Sequence, residues 1–292
     1  MKTIIRSILR KTLGFNRDSA FPAGHYYSPI VSTSNIKKRV SEIWAESSPL
    51  NINGIDLNSN EQINLVKGFS KFYSELPFSP TKDNLHRYFF ENGFYSYTDG
   101  IILYSMIRHF EPKRIIEIGS GFSSAVMLDT KEIFFNNNID LTFIEPYPDR
   151  LNSLIKESDK KQTKIIQSEI QKVSLDLFKE LNEGDILFVD STHVVKTGSD
   201  VNFILFEILP ILKSGVLIHF HDIFYPFEYP QKWVVEGRNW NEDYFLKAFL
   251  MYNDHFKILL FADYLHKNHK EAFSELPLTY KNSGGNLWIQ KK

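Results

Sequence analysis

The sequence predicts an α/β fold: a doubly wound, mostly parallel sheet of seven strands whose last strand runs antiparallel, preceded by an N-terminal helical cap. Three observations carry this expectation. From residue 112 onward, short apolar runs alternate with helical patterns, as in successive strand–helix–strand units. The first of these runs breaks directly into a glycine-rich turn, Gly119-Ser120-Gly121, that opens a helix. The chain closes on a strand-like segment, Asn286-Leu287-Trp288-Ile289-Gln290, placed after Ser283-Gly284-Gly285, which suits a hairpin-like return rather than another crossover.

Taken in order, the N-terminal part is scattered with Pro and Gly through 22–80 and carries helical patterns near 37–46, 60–75 and 97–110. The linker-like stretch Leu76-Pro77-Phe78-Ser79-Pro80-Thr81 separates an outer cap from the segment that feeds the first strand, so residues 1–85 are expected as extension and cap and 86–292 as the sheet domain. Strands are predicted near 114–118, 141–145, 163–167, 185–190, 215–220 and 256–261. Helices fall between them near 123–134, 148–157, 173–181, 200–212 and 241–253. No internal repeat interrupts this alternation, and the Asn run at 136–138 suits a turn.

Composition narrows the class. At 292 residues the chain buries a full core, and Lys plus Arg (34) balances Asp plus Glu (35), so no global field favours nucleic acid or an anionic membrane. With no cysteine there is no disulfide, thiolate metal site or cysteine nucleophile. No apolar run approaches the length of a membrane span and the N-terminus lacks signal-peptide features, which reads as a cytoplasmic protein. Residues 1–17 place Ile4, Ile5, Ile8, Leu9 and Leu13 at helical spacing beside basic residues. That pattern fits a frayed terminal helix, or a basic helix in peripheral contact with a membrane. Nothing in the sequence sets an oligomeric state.

The chemistry gathers where strands end. Ile115, Ile116 and Ile118 make a buried parallel strand, Gly119 and Gly121 allow positive φ and close approach of a ligand to backbone, and Ser120, Ser123 and Ser124 stand where a helix is capped. Glu117 is a carboxylate on a buried strand and needs a partner, which a cationic or hydroxyl-bearing ligand supplies. The glycines satisfy two positions of a G-x-G-x-x-G dinucleotide fingerprint, but Ser124 takes the third. Glu145 ends the second strand, where a carboxylate suits a ribose diol. The fourth strand ends in Asp190, followed by His193, and the fifth in His221 and Asp222, so these four are expected in one crevice. His219 shares a face with His221 but lies deeper, as either a site residue or a core histidine bonded to a backbone carbonyl. His25, Tyr26 and Tyr27 in PAGHYYSP (22–29) form a stiff turn, and Tyr225 to Pro230 with Trp233 an aromatic loop, each either packing or covering an acceptor.

IIEIGSGFSS at 115–124 resembles motif I of the class I S-adenosylmethionine-dependent methyltransferases. With PAGHYYSP, DILFVDSTHVVKTGSDV at 185–201, HFHDIFYPFEYP at 219–230, WNEDYFLKAFL at 240–250 and the closing GGNLWI, the chain resembles the bacterial methyltransferase domain 24 family over most of its length. The resemblance implies a Rossmann-like seven-stranded methyltransferase sheet with S-adenosylmethionine bound by Glu117, Gly119, Ser120, Gly121, Ser123, Glu145 and Asp190, the motif acid contacting the methionine end. A more distant likeness to catechol and metal-dependent sugar O-methyltransferases maps a divalent metal site onto Asp190, His221 and Asp222; histidine in place of an acid disfavours magnesium and leaves a softer ion or no metal. The same likeness places the base at His193, whose ordinary pKa suits proton abstraction near neutrality, with His221 and Asp222 orienting the acceptor. The implied activity is methyl transfer to oxygen on a sugar, glycan or other small-molecule acceptor, with nitrogen open. An NAD(P)-dependent oxidoreductase and a noncatalytic Rossmann-like partner-binding subunit are the alternatives.

Overall fold

A computed structural model of the protein describes residues 19–45 and 47–292; the basic stretch 1–17 lies outside the described residues. Seven strands, β1 (Arg114–Ile118), β2 (Asp140–Ile144), β3 (Thr163–Ile166), β4 (Ile186–Val189), β5 (Leu217–His221), β6 (Phe256–Phe261) and β7 (Asn286–Lys291), form one sheet in the order β3-β2-β1-β4-β5-β7-β6. Neighbours from β3 through β5 pair in parallel, and β7 runs antiparallel to both β5 and β6, as the glycine turn before it predicts. The order reverses between β1 and β4, because β2 and β3 build outward on one side and β4 and β5 on the other. A ligand crevice opens at such a reversal, beyond the carboxyl ends of the strands.

Register decides which residues meet there. Ile118 pairs with Ile144 on one side and Val189 on the other, and Val189 pairs with Phe220. The next residue of each strand therefore stands in a row across the sheet edge: Glu145, Gly119, Asp190 and His221. Asn286, which opens β7, extends the row by pairing with His221. Below the edge the strands are apolar and fully covered, Ile186 to Val189 in β4 and Leu217, Ile218 and Phe220 in β5 all being buried. This is the physical reason that both strands read as continuous apolar runs rather than alternating ones.

Helices Tyr97–Phe110 and Phe122–Phe134 pack on each other against the sheet. The segment before the first of them is clamped by Arg87, whose buried guanidinium meets Asp129 and Asp159 at 2.6 Å each and Glu132 at 2.7 Å. Asp129 also accepts the backbone N–H groups of Arg87 and Tyr88 at 2.9 Å. That clamp holds Phe94 and Tyr95 beside the glycine turn. Helix Ser59–Gly68 docks on β6 through Gln62, whose Oε1 accepts from Phe261 N at 2.7 Å.

The described residues divide into two compact units, Ser48–Glu228 with Asn241–Lys292, and a smaller one of residues up to Ser47 with Tyr229–Trp240. Residues 48–85 thus belong to the unit that holds the sheet. In the smaller unit, helices Thr33–Lys38 and Gln231–Val235 are neighbours and Trp44 Nε1 donates to Tyr229 O at 2.9 Å. Several predicted helices are shorter than their patterns. The region 173–181 contains only Asp176–Lys179, and 200–212 runs as Asp200–Phe203, a π turn Ile204–Ile208 and a 3₁₀ turn Leu209–Ile211. Helix Ala262–Asn268, absent from the sequence reading, is seven residues long. Segments this short have little helical stability of their own and form because tertiary contacts hold them.

Candidate active site

The glycine turn is built around Glu117. Its side chain is fully buried, Oε1 accepts from Ser123 Oγ at 2.5 Å and Oε2 from Ser124 Oγ. Ser124 Oγ in turn accepts from Gly121 N at 3.0 Å, closing the start of the helix. Burial drives the Glu117 carboxyl up to about 8 against the pull of these hydrogen bonds. A partner for this buried carboxyl is thus supplied within the chain, by Ser123 and Ser124. Ser123 lies on the crevice wall with its hydroxyl turned inward to Glu117.

The two glycines have different reasons. Gly119 has φ +82°, and a Cβ there would stand 1.8 Å from the carbonyl oxygen of Asp190, so it is glycine because the end of β4 passes against it. Gly121 lies at φ −178°, extended backbone open to any residue, and a Cβ would meet only the Arg150 side chain, at 3.2 Å. The expected positive φ therefore holds at Gly119 alone.

Glu145 faces this turn. Its Oε2 accepts from Ser120 N at 3.0 Å and its Oε1 from Tyr147 N at 2.8 Å, which fixes the carboxylate while leaving lone pairs on both oxygens. Two compartments meet at Gly119, Glu145, Asp190 and Ser191. One, of about 380 Å³, is largely apolar, with Ile118, Ile144 and Ile170 in its wall and Ser168 and Gln171 beside them. The other, of about 200 Å³, is polar and bounded by Phe94, Tyr95, Ser120 and Arg150. Tyr95 Oη and Ser191 Oγ are buried in that wall with no hydrogen-bond partner among the described residues.

The acid–histidine group expected at the ends of β4 and β5 is assembled. His193 Nδ1 lies 2.9 Å from Glu242 Oε2, and His193 Nε2 lies 3.5 Å from Asp190 Oδ1 and 3.8 Å from Asp222 Oδ2. His221 Nε2 is 3.5 Å from Asp222 Oδ1, and its ring centroid is 5.0 Å from that of Tyr95. Burial opposes the imidazolium of His193, but hydrogen bonds to Asp190 and Glu242 outweigh it and raise His193 well above the ordinary histidine value. Burial likewise opposes charge on Asp190 and His221. The cationic histidines nonetheless lower Asp190, and the surrounding carboxylates raise His221. His193 and Asp222 both occupy the left-handed region, at φ +60° and +56°, a conformation that costs a non-glycine residue free energy and is held here by the surrounding structure.

Glu242 is absent from the sequence reading. It opens helix Glu242–Leu250, is buried, and is delivered by a backbone clasp in which Asn241 N and Glu242 N donate to His193 O at 3.1 and 3.2 Å. The only signal for it is the acid pair at the start of a helical pattern, which reads equally as an ordinary first-turn preference. Phe94, Tyr95 and Arg150 are likewise known only from the fold.

Asp190, His221 and Asp222, the residues of the expected metal set, stand together around His193. Asp190 faces His193 Nε2, Asp222 lies between His221 Nε2 and His193 Nε2, and no group of three or more His, Asp or Glu among the described residues is arranged to hold an ion. His219 is a core residue, stacked on Phe188 at 4.0 Å and packed on Trp288 at 4.6 Å, but neither ring nitrogen meets a carbonyl. Of the aromatic loop, Tyr225 and Phe227 pack in the interior against Phe261 at 5.7 and 5.2 Å, and Tyr225 Oη donates to Pro49 O at 2.7 Å. In the smaller unit, PAGHYYSP is a turn in which Phe21, His25 and Tyr27 pack together, closed by Gly24 N donating to Ile30 O at 2.8 Å.

Residues 116–223 match the profile of a family described as Methyltransferase domain, number 24 of its series. An uncharacterized protein of Archaeoglobus fulgidus is 33% identical over 169 residues, spanning 57% of this chain and 76% of that protein. Among solved structures, the SAH-bound methyltransferase PaMTH1 of Podospora anserina is 15% identical, with 94% of this chain and 99% of that one covered at a TM-score of 0.42. Coclaurine N-methyltransferase bound to N-methylheliamine and SAH is 12% identical, with 99% of each chain covered at a TM-score of 0.40.

Proposed function

The chain belongs to the methyltransferase-domain family, and from that premise we propose that it transfers the methyl group of S-adenosylmethionine to an oxygen of a small acceptor such as a sugar or glycan unit. The observation that carries this reading is the pair of compartments meeting at Glu145 and Asp190, one largely apolar, the other polar and charged. Together they suit a nucleoside joined to a zwitterionic chain. Glu145, pinned by two backbone N–H groups, accepts hydrogen bonds from a ribose diol, and the isoleucines of β1, β2 and the turn after β3 cover the two faces of a base. Buried Tyr95 Oη and Ser191 Oγ supply polar groups toward the thioether end.

S-adenosylmethionine, when bound, supplies a methyl group activated on a sulfonium. The residues of this chain then have two tasks, to hold the acceptor in line and to take its proton. We assign proton removal to His193, which Glu242 orients through Nδ1 so that Nε2 faces the side where Asp190 and Asp222 stand. His221 and Asp222 position the acceptor. No step requires a metal ion.

Calorimetric titration with S-adenosylmethionine, S-adenosylhomocysteine and NAD tests the donor. Micromolar binding of the sulfur ligands, without NAD, is expected; binding of NAD with neither sulfur ligand ends this reading in favour of an oxidoreductase. A screen of sugar nucleotides, glycans and small phenols with labelled donor then identifies the acceptor.

A further inference from the structure

The polar compartment contains a cation without an acid of its own. Arg150 follows the Glu145 turn in helix Asp149–Leu154, and its guanidinium lies 4.0 Å over the ring of Phe94, which stacks on Phe122 with centroids 6.0 Å apart. Gly121 leaves room for its stem, since a Cβ there would come within 3.2 Å of Arg150 Cδ. Among the described residues no carboxylate comes within ion-pair distance of Arg150 and its guanidinium donates no hydrogen bond. The side chain is therefore held by an aromatic platform with its planar donor edge free, an arrangement suited to bidentate capture of a carboxylate. Asp190 stands in the same wall, close enough that the charge of Arg150 helps hold its carboxyl low.

Of the two acids in this compartment Glu145 is held by Ser120 N and Tyr147 N, which leaves Arg150 and Asp190 as a cation and an acid complementary to an α-amino acid group. Glu117, the residue that the motif assigns to that end of the ligand, is buried beneath the loop with each oxygen taken by a serine. We propose that Arg150 binds the α-carboxylate of the methyl donor, with Asp190 receiving its ammonium, so that recognition of the amino-acid end has passed from the motif acid to this pair. The assignment rests on the methyl-donor reading above.

The test compares S-adenosylhomocysteine, its decarboxylated analogue and 5′-methylthioadenosine by calorimetry on the full chain, wild type against Arg150→Met and Arg150→Lys. Arg150→Met keeps the stem over Phe94 and should weaken S-adenosylhomocysteine by roughly 10- to 100-fold, the range of a charge-assisted hydrogen-bond pair. It should leave the two ligands without a carboxylate within about 2-fold of wild type, the scatter of a surface substitution. Arg150→Lys should recover part of the loss. Wild-type protein should show the same factor between S-adenosylhomocysteine and its decarboxylated analogue. An Arg150→Met variant that weakens all three ligands alike, or none, overturns the proposal while the methyl-donor reading stands. Wild-type protein that binds none of the three overturns both.

Discussion

Glu117 shows how much a single buried carboxyl changes once its neighbours are known. As a carboxylate on a buried strand it calls for a partner, and the serines at 123 and 124 lie too far along the sequence to be recognised as that partner without the turn that returns them. Because its folded value is raised to about 8 from an ordinary 4.5, the folded state holds a proton that the unfolded chain releases, and wild-type stability falls as pH rises between those values. A Glu117→Gln variant, which keeps acceptor and shape but does not titrate, should match wild type near pH 5 and exceed it increasingly toward pH 8. Denaturant midpoints across that window read the difference. Glu117→Ala strips both serine hydroxyls of their acceptor and should cost about 1–3 kcal/mol for each buried group left unpaired.

His193 makes a second prediction at this scale. A base whose value is raised stays protonated until the pH passes that value, so turnover is expected to climb on the alkaline side of neutrality. Glu242→Gln removes one of the two hydrogen-bonding acids that raise it, and the ascending limb of the pH–rate profile should move toward lower pH, while affinity for S-adenosylhomocysteine is unchanged. A limb that stays in place removes the dyad from the mechanism. Asp190 and Glu242 were not equally visible beforehand: Asp190 ends a strand and so announces its position, whereas Glu242 reaches His193 across 49 residues of sequence through a loop clasp.

At the scale of elements, the strands were legible and the helices only in outline. β1 through β7 follow local apolar runs bounded by turns, and all seven begin and end within two residues of the expected positions. The helices after β3 and β4 are shorter or rewound, because their patterns describe a face to be covered and not the hydrogen bonding that covers it. The segment ahead of helix Tyr97–Phe110 depends on a tertiary lock, the Arg87 clamp on Asp129, Asp159 and Glu132. Replacing Arg87 by Met leaves Asp129 buried and uncompensated and should cost about 3–5 kcal/mol in denaturant unfolding. Since the same segment carries Phe94 and Tyr95, affinity for S-adenosylhomocysteine should fall with it. A variant as stable as wild type would show that the clamp is dispensable.

At the scale of the molecule, the sheet order brings Glu145, Gly119, Asp190 and His221 into one row at the reversal between β1 and β4, and the rest of the site is arranged around that row. Asp190 and Asp222 face the imidazoles of His193 and His221, and no group of three or more His, Asp or Glu among the described residues is arranged to hold an ion, so methyl transfer is expected to persist, within about 2-fold, after exhaustive chelation and dialysis. Activity lost to chelator and restored by one added ion would reverse this. No helix among the described residues is long and apolar enough to cross a membrane.

Consecutive residues carry the strand sequence, the glycine turn, the acids and histidines that end strands two, four and five, and the antiparallel closing strand. These are local patterns, and period and turn chemistry are carried by consecutive residues. Which of those groups face each other emerges with the fold. Glu117 turned inward to its serines, His193 settled among three carboxylates, and Arg150 came to rest over Phe94. Each pairing joins separate elements of the chain, and its free energy depends on desolvation and distance that exist only once the sheet, the clamp and the loops have brought those elements together.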